Sequence, residues 1–159
     1  MISGTCNQCQ QKVDSESILD KYTNMKAKIQ SIDFGICEHE ELIQLFEETV
    51  SFFHPLDEDF FKFLDQLSGR LYFAQDYVNC LQVVKLMLIN YEFNGLIYKY
   101  TTGIMEQKTA TICWNLGLID EAISHLNKAE EILKVTHGED SSEVSQCKTI
   151  RNQICMQNQ

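Results

Sequence analysis

Apolar residues recur three and four positions apart along most of the chain, the spacing that sets them on one face of a helix. Ile18, Tyr22, Met25, Ile29 and Ile32 form the first such stripe. Beyond Gly35, a second runs through Leu42, Leu45, Phe46, Thr49 and Phe53. His54-Pro55 closes it, because the residue before a proline disfavours the helical region. Phe60, Leu64, Leu67 and Leu71 predict a third helix, and Tyr77, Leu81, Val84, Leu88 and Tyr91 a fourth. The junction at Phe73–Asp76 is short, which forces these two to pack as an antiparallel hairpin.

After Asn94-Gly95 a fifth helix reaches Leu116 and carries Ile104, Met105, Ile112, Cys113 and Trp114. Gly117 suits its C-terminal cap, since glycine enters the left-handed region without strain. Asp120 and Glu121 open a sixth, with Ala122, Leu126, Ala129 and Leu133 on its stripe and His137-Gly138 at its end. Ser141 or Ser142 caps a seventh, carrying Val144, Cys147, Ile150 and Ile154. Laying Cys80 on Ala122 also superposes Val84 on Leu126 and Tyr91 on Leu133, a 42-residue separation. These patterns predict an all-α chain: about three stacked antiparallel hairpins of tetratricopeptide-like type, each burying what its neighbour exposes, plus a C-terminal capping helix.

Composition narrows the function. The 159 residues include 23 acidic and 13 basic side chains, for a formal charge of −10. That balance predicts no direct nucleic-acid binding, which needs clustered Lys and Arg to displace counterions. No apolar run reaches the roughly 18 residues of a membrane span, so no membrane partner is expected. Seven cysteines, an odd number dispersed through apolar stretches, suit reduced thiols and predict a cytoplasmic or nuclear setting.

Three stretches resemble a known family. His54-Pro55-Leu56 followed by Leu64-Asp65 is one; Asn115-Leu116-Gly117 through Glu121-Ala122, with Gly103 and Lys108 before it, is another. The most specific is Val135-Thr136-His137-Gly138, preceded by Lys134. Together they resemble the C-terminal tetratricopeptide-like domain of the SET and MYND domain protein-lysine methyltransferases across most of residues 54 to 138. Two departures stand out: Tyr98-Lys99-Tyr100 where the family has a serine-histidine-proline turn, and Ser141-Ser142 where it has a histidine. The resemblance implies residues 1–13 as the tail of a post-SET cysteine segment and 14–159 as the helical domain. In that family the domain walls the substrate cleft and offers an interaction surface, while S-adenosylmethionine binding and catalysis belong to other segments of the parent protein.

No residue of this chain falls in a catalytic pattern, so the leading expectation is a non-catalytic protein-interaction domain. The rivals are a fragment of an active lysine methyltransferase and an unrelated helical adaptor. Cys6-Asn7-Gln8-Cys9 resembles the last two cysteines of the post-SET cluster and reads either as half of a zinc site or as two free thiols. Lys62, Arg70, Lys99, Thr102 and Lys108, with Tyr98, are candidates for gripping an acidic peptide or terminal carboxylate, such as a chaperone tail; the plainer alternative is that they are ordinary solvated charges and half-buried rings. Conversely, the acidic stretches Glu38–Glu48 and Glu139–Glu143 suit basic, histone-like partners or simply keep the chain in solution. Among the histidines, His39, His54, His125 and His137, none has a third group beside it in sequence to orient it, and His137 suits a helix C-terminus. Phe52, Phe53, Phe60, Phe61, Phe63 and Trp114 are expected in the core.

Overall fold

The computed structural model describes residues 3–5, 12–96 and 99–157, with side chains from Glu16 onward. Among them, seven helices carry the fold: α1 (Ser15–Ser31), α2 (His39–Val50), α3 (Glu58–Phe73), α4 (Tyr77–Phe93), α5 (Tyr100–Asn115), α6 (Ile119–His137) and α7 (Ser142–Gln157). Two three-residue strands, β1 (Ser3–Thr5) and β2 (Lys12–Asp14), pair antiparallel with Gly4 opposite Val13. Apart from this ribbon, the regular structure of the described residues is all-α. No helix among the described residues is long and apolar enough to cross a membrane.

The chain divides into two compact units within α3, Met1–Phe63 and Leu64–Gln159. In the first, α2 buries Leu42, Leu45, Phe46 and Thr49, spaced as an amphipathic face requires. Asp57 caps α3: its Oδ1 accepts from the backbone amides of Asp59 and Phe60, and its Oδ2 from the Tyr22 hydroxyl at 2.5 Å. Phe53 stacks on Phe60 with ring centroids 5.3 Å apart and meets the tilted Tyr22 ring at 5.2 Å. Phe52 departs from expectation: it is exposed in the turn after α2, where its neighbour Phe53 is the ring turned into the core.

In the second unit, the hairpin repeat is in register to the residue. Helix α5 begins and ends 42 positions after α3, from Glu58 to Tyr100 and from Phe73 to Asn115. The closing hydrogen bonds of the two turns match. The Asp76 amide donates to the Leu71 carbonyl and the Leu118 amide to that of Cys113; the Gln75 amide donates to Tyr72 and the Gly117 amide to Trp114. Both are the closing motif of a helix that ends on one left-handed residue. The same motif ends α4, where Gly95 has φ 64° and the Leu96 amide donates to the Tyr91 carbonyl.

Packing preserves the register. Leu71 and Cys113 are fully buried, as are Cys80 and Ala122, Val84 and Leu126. Helices α4, α5, α6 and α7 pack in succession, α5 most extensively against α6. That contact is close because Gly103 carries no side chain: a Cβ there would lie 2.9 Å from Leu133 Cδ2. At its far end the Tyr100 and His137 rings meet at 4.4 Å. Gly138, with φ 90°, then ends α6, and the Ser141 hydroxyl caps α7 by accepting from the Val144 amide.

Candidate functional site

Where α4, α5 and α6 converge lies a cavity of about 340 Å³. Leu88, Ile89 and Glu92 come from α4, Thr102 and Glu106 from α5, and His125, Lys128, Glu131 and Ile132 from α6. Helical periodicity explains the set. Glu92 lies four residues after Leu88 and three after Ile89, and His125, Lys128 and Ile132 are likewise three and four apart, so each set is turned to one side of its helix. The lining thus combines an apolar surface from Leu88, Ile89 and Ile132 with three glutamates against one lysine.

Within the cavity wall, His125 Nδ1 is hydrogen-bonded to Glu106 Oε2, and both side chains are nearly buried. This is the orienting group that His125 lacks in its sequence neighbourhood. It sits on the preceding helix, 19 residues away, and only hairpin formation brings it alongside. In the first hairpin the positions equivalent to Glu106 and His125 are Leu64 and Val83, both fully buried. A polar pair therefore stands where the same architecture elsewhere holds two aliphatic side chains.

A second group adjoins it. The Cys113 sulfur, a Glu121 carboxylate oxygen and a His125 ring nitrogen all lie within 4.8 Å of one another. Glu121 also accepts an ion pair from Lys85 at 3.1 Å. Burial raises the Cys113 thiol above its ordinary pKa, and Glu121 adds to the effect.

The sequence-derived candidates are dispersed. Lys62 belongs to the first unit, is exposed and bonds Glu58 at 2.7 Å. Arg70 is exposed in the last turn of α3, and Lys99 is the exposed residue before α5. Thr102 lines the cavity, but its hydroxyl donates to the Leu96 carbonyl at 2.6 Å. Lys108 donates to the Ser68 hydroxyl at 2.9 Å and lies 5.8 Å from the centre of the Tyr72 ring. Cys6, Cys9 and Tyr98 lie outside the described residues. Of the described candidates, only Thr102 lines the cavity.

No protein-family model matches the chain, and no curated protein matches it.

Proposed function

We propose that the chain is a non-catalytic protein-interaction domain of the helical-repeat type, which takes a lysine-bearing segment of a partner into the cavity between α4, α5 and α6. The observation that carries this is the cavity lining. A lysine places its methylene stem along apolar side chains and its ammonium among carboxylates. Leu88, Ile89 and Ile132 offer the first surface, and Glu92 and Glu131 the second. The net charge of −10 adds long-range attraction for such a partner.

Basic, histone-like segments are the class we favour. Capture of an acidic tail draws less support, since Lys62, Thr102 and Lys108 are each engaged by a neighbouring group of the chain itself. The reading also suits a domain that walls a substrate cleft, as in the SET and MYND methyltransferases that most of residues 54 to 138 resemble. Thr136, His137 and Gly138, which carry part of that resemblance, share one local job at the end of α6. Thr136 bonds the Ile132 carbonyl, His137 packs on Tyr100, and Gly138 turns the chain. The thiols of Cys80, Cys113, Cys147 and Cys155, outside any disulfide, support a cytoplasmic or nuclear setting.

A fluorescently labelled peptide of alternating Lys and Ala tests the proposal by anisotropy. Reversing Glu92→Lys with Glu131→Lys should weaken binding about tenfold or more, while reversing Glu38→Lys with Glu40→Lys, which removes the same charge elsewhere, should weaken it far less. Equal losses from the two double reversals would reduce binding to net charge and overturn the reading.

A further inference from the structure

We infer that Cys113, Glu121 and His125 form a binding site for a divalent metal ion of the zinc class, with Glu106 as the residue that positions the His125 ring. Three different donor atoms, a sulfur, an oxygen and a nitrogen, already converge within 4.8 Å. Glu121 and His125 stand four residues apart on α6 and so share a face, and Cys113 meets them from the last turn of α5. The turn between the helices is the tightly hydrogen-bonded Leu116-Gly117-Leu118 segment, which holds the two sides of the site in fixed register.

Glu106 supplies an independent observation. A metal-binding histidine characteristically gives its other ring nitrogen to a carboxylate, which fixes both tautomer and orientation. Here Nδ1 is the nitrogen held by Glu106, leaving Nε2 for an ion.

The repeat shows that the architecture does not require these residues. Read 42 positions earlier, the four places are filled by Leu64, Leu71, Asn79 and Val83. Leu64, Leu71 and Val83 are buried apolar core, and Asn79 bonds the helix-capping Asp76 at 2.8 Å. All four positions change together to groups suited to a metal and its supporting carboxylate.

The donor set selects the ion. Thiolate and imidazole favour zinc and its neighbours, whereas magnesium and calcium take oxygen ligands. Three protein ligands leave one tetrahedral position for water or a partner's side chain. Two costs accompany binding. Lys85 competes for Glu121, and the Cys113 thiol releases its proton to solvent as the metal–sulfur bond forms. Affinity should therefore rise with pH.

The test is titration of the full chain, under reducing conditions, with Co²⁺ and then Zn²⁺. Cobalt binding is followed by its thiolate charge-transfer absorption, and zinc by displacement of cobalt and by the shift in melting temperature. One equivalent should bind with a Cys113-dependent absorption band, and zinc should raise the melting temperature. Glu121→Gln, at an exposed position that folding tolerates, should weaken cobalt about tenfold or more, and Glu106→Gln should do so by about 10–100-fold, as loss of a supporting carboxylate does elsewhere. Joint replacement Cys6→Ser with Cys9→Ser should leave this equivalent in place. Absence of a thiolate band, equal affinity in the Glu121→Gln and parent chains, or loss of the equivalent on replacing Cys6 and Cys9 would each overturn the assignment.

Discussion

Gln75 and Gly117 occupy the same place in successive hairpin turns, and both are left-handed, with φ of 59° and 74°. Glycine adopts this conformation freely, whereas a side chain with a Cβ is strained there by about 1–2 kcal/mol. Gln75 is the only non-glycine with positive φ among the described residues. Gln75→Gly should therefore stabilise the chain by about 0.5–1 kcal/mol, after the added freedom of the unfolded glycine is deducted. Gly117→Gln should destabilise it by a similar or larger amount. Urea unfolding of both variants checks the pair, and opposite signs are expected.

Gly103 and Gly69 make a contrasting pair inside helices. A Cβ on Gly103 meets Leu133 at 2.9 Å and Ile132 at 3.2 Å, while one on Gly69 meets nothing within 4 Å. Gly103→Ala should cost about 1–3 kcal/mol through forced repacking of α5 on α6. Gly69→Ala should gain up to about 1 kcal/mol, since alanine is the better helix former. Thermal melting of the two variants should move in opposite directions.

The Glu106–His125 pair replaces Leu64 and Val83 of the preceding hairpin, which makes the swap a direct experiment. Glu106→Leu or His125→Val alone should cost about 1–3 kcal/mol, because each leaves a nearly buried polar partner unsatisfied. The double variant should recover most of that loss, as replacing both partners by apolar groups can be nearly neutral. A double-mutant cycle in denaturant measures the coupling, and strictly additive losses would show the two side chains to be independent.

Much of the fold is legible in sequence, because helices with one buried apolar stripe announce themselves. Leu42, Leu45, Phe46, Phe60, Leu64, Leu67 and Leu71 are all read from spacing, and all are buried. Helix α5 is harder to read. Its buried positions include Thr102, Glu106, Gln107 and Thr109, so no apolar stripe marks the face that packs. The candidate site is hidden for the same reason: its polar groups sit at core positions, and their partners come from the neighbouring helix. One signal for it does exist in the sequence. Carried back from Cys80 and Ala122 into the preceding helices, the 42-residue overlay sets Leu64 on Glu106 and Leu71 on Cys113. Two chemical substitutions then show at positions the pattern reserves for aliphatic side chains.

Glu130 ties α7 to α6. Its carboxylate accepts from Lys134 at 2.9 Å and from Arg151 at 2.5 Å, and it is 8% exposed. The Lys134 hydrogen bond, more than the opposing effect of burial, holds its pKa below the ordinary 4.5, and Arg151 adds to the lowering. A carboxyl whose folded pKa is lowered contributes stability above the unfolded value and loses it as pH falls through the folded one. Glu130→Gln should therefore cost about 1.5–3 kcal/mol at pH 7, and the gap to the parent chain should close as the pH drops below about 4.5. Denaturant midpoints across pH 3–7 read both effects.

Thiol chemistry should divide along burial. Burial raises Cys80 to about 11 and holds Cys147 above its ordinary value, whereas Cys155 is exposed. A brief alkylation at neutral pH followed by peptide mapping should label Cys155 and leave Cys80, Cys113 and Cys147 largely protected until denaturant is added. Early labelling of Cys80 would contradict its packing against α3, where its thiol donates to the Ser68 carbonyl at 3.4 Å.

The docking cavity is tested most directly by amide chemical-shift mapping, with the isotope-labelled chain titrated by the alternating Lys-Ala peptide. Saturable shifts are expected, centred on Leu88, Ile89, Glu92, Glu131 and Ile132 and abolished by Glu92→Lys with Glu131→Lys. Shifts spread evenly over the acidic surface, or confined to residues outside α4, α5 and α6, would contradict docking in the cavity.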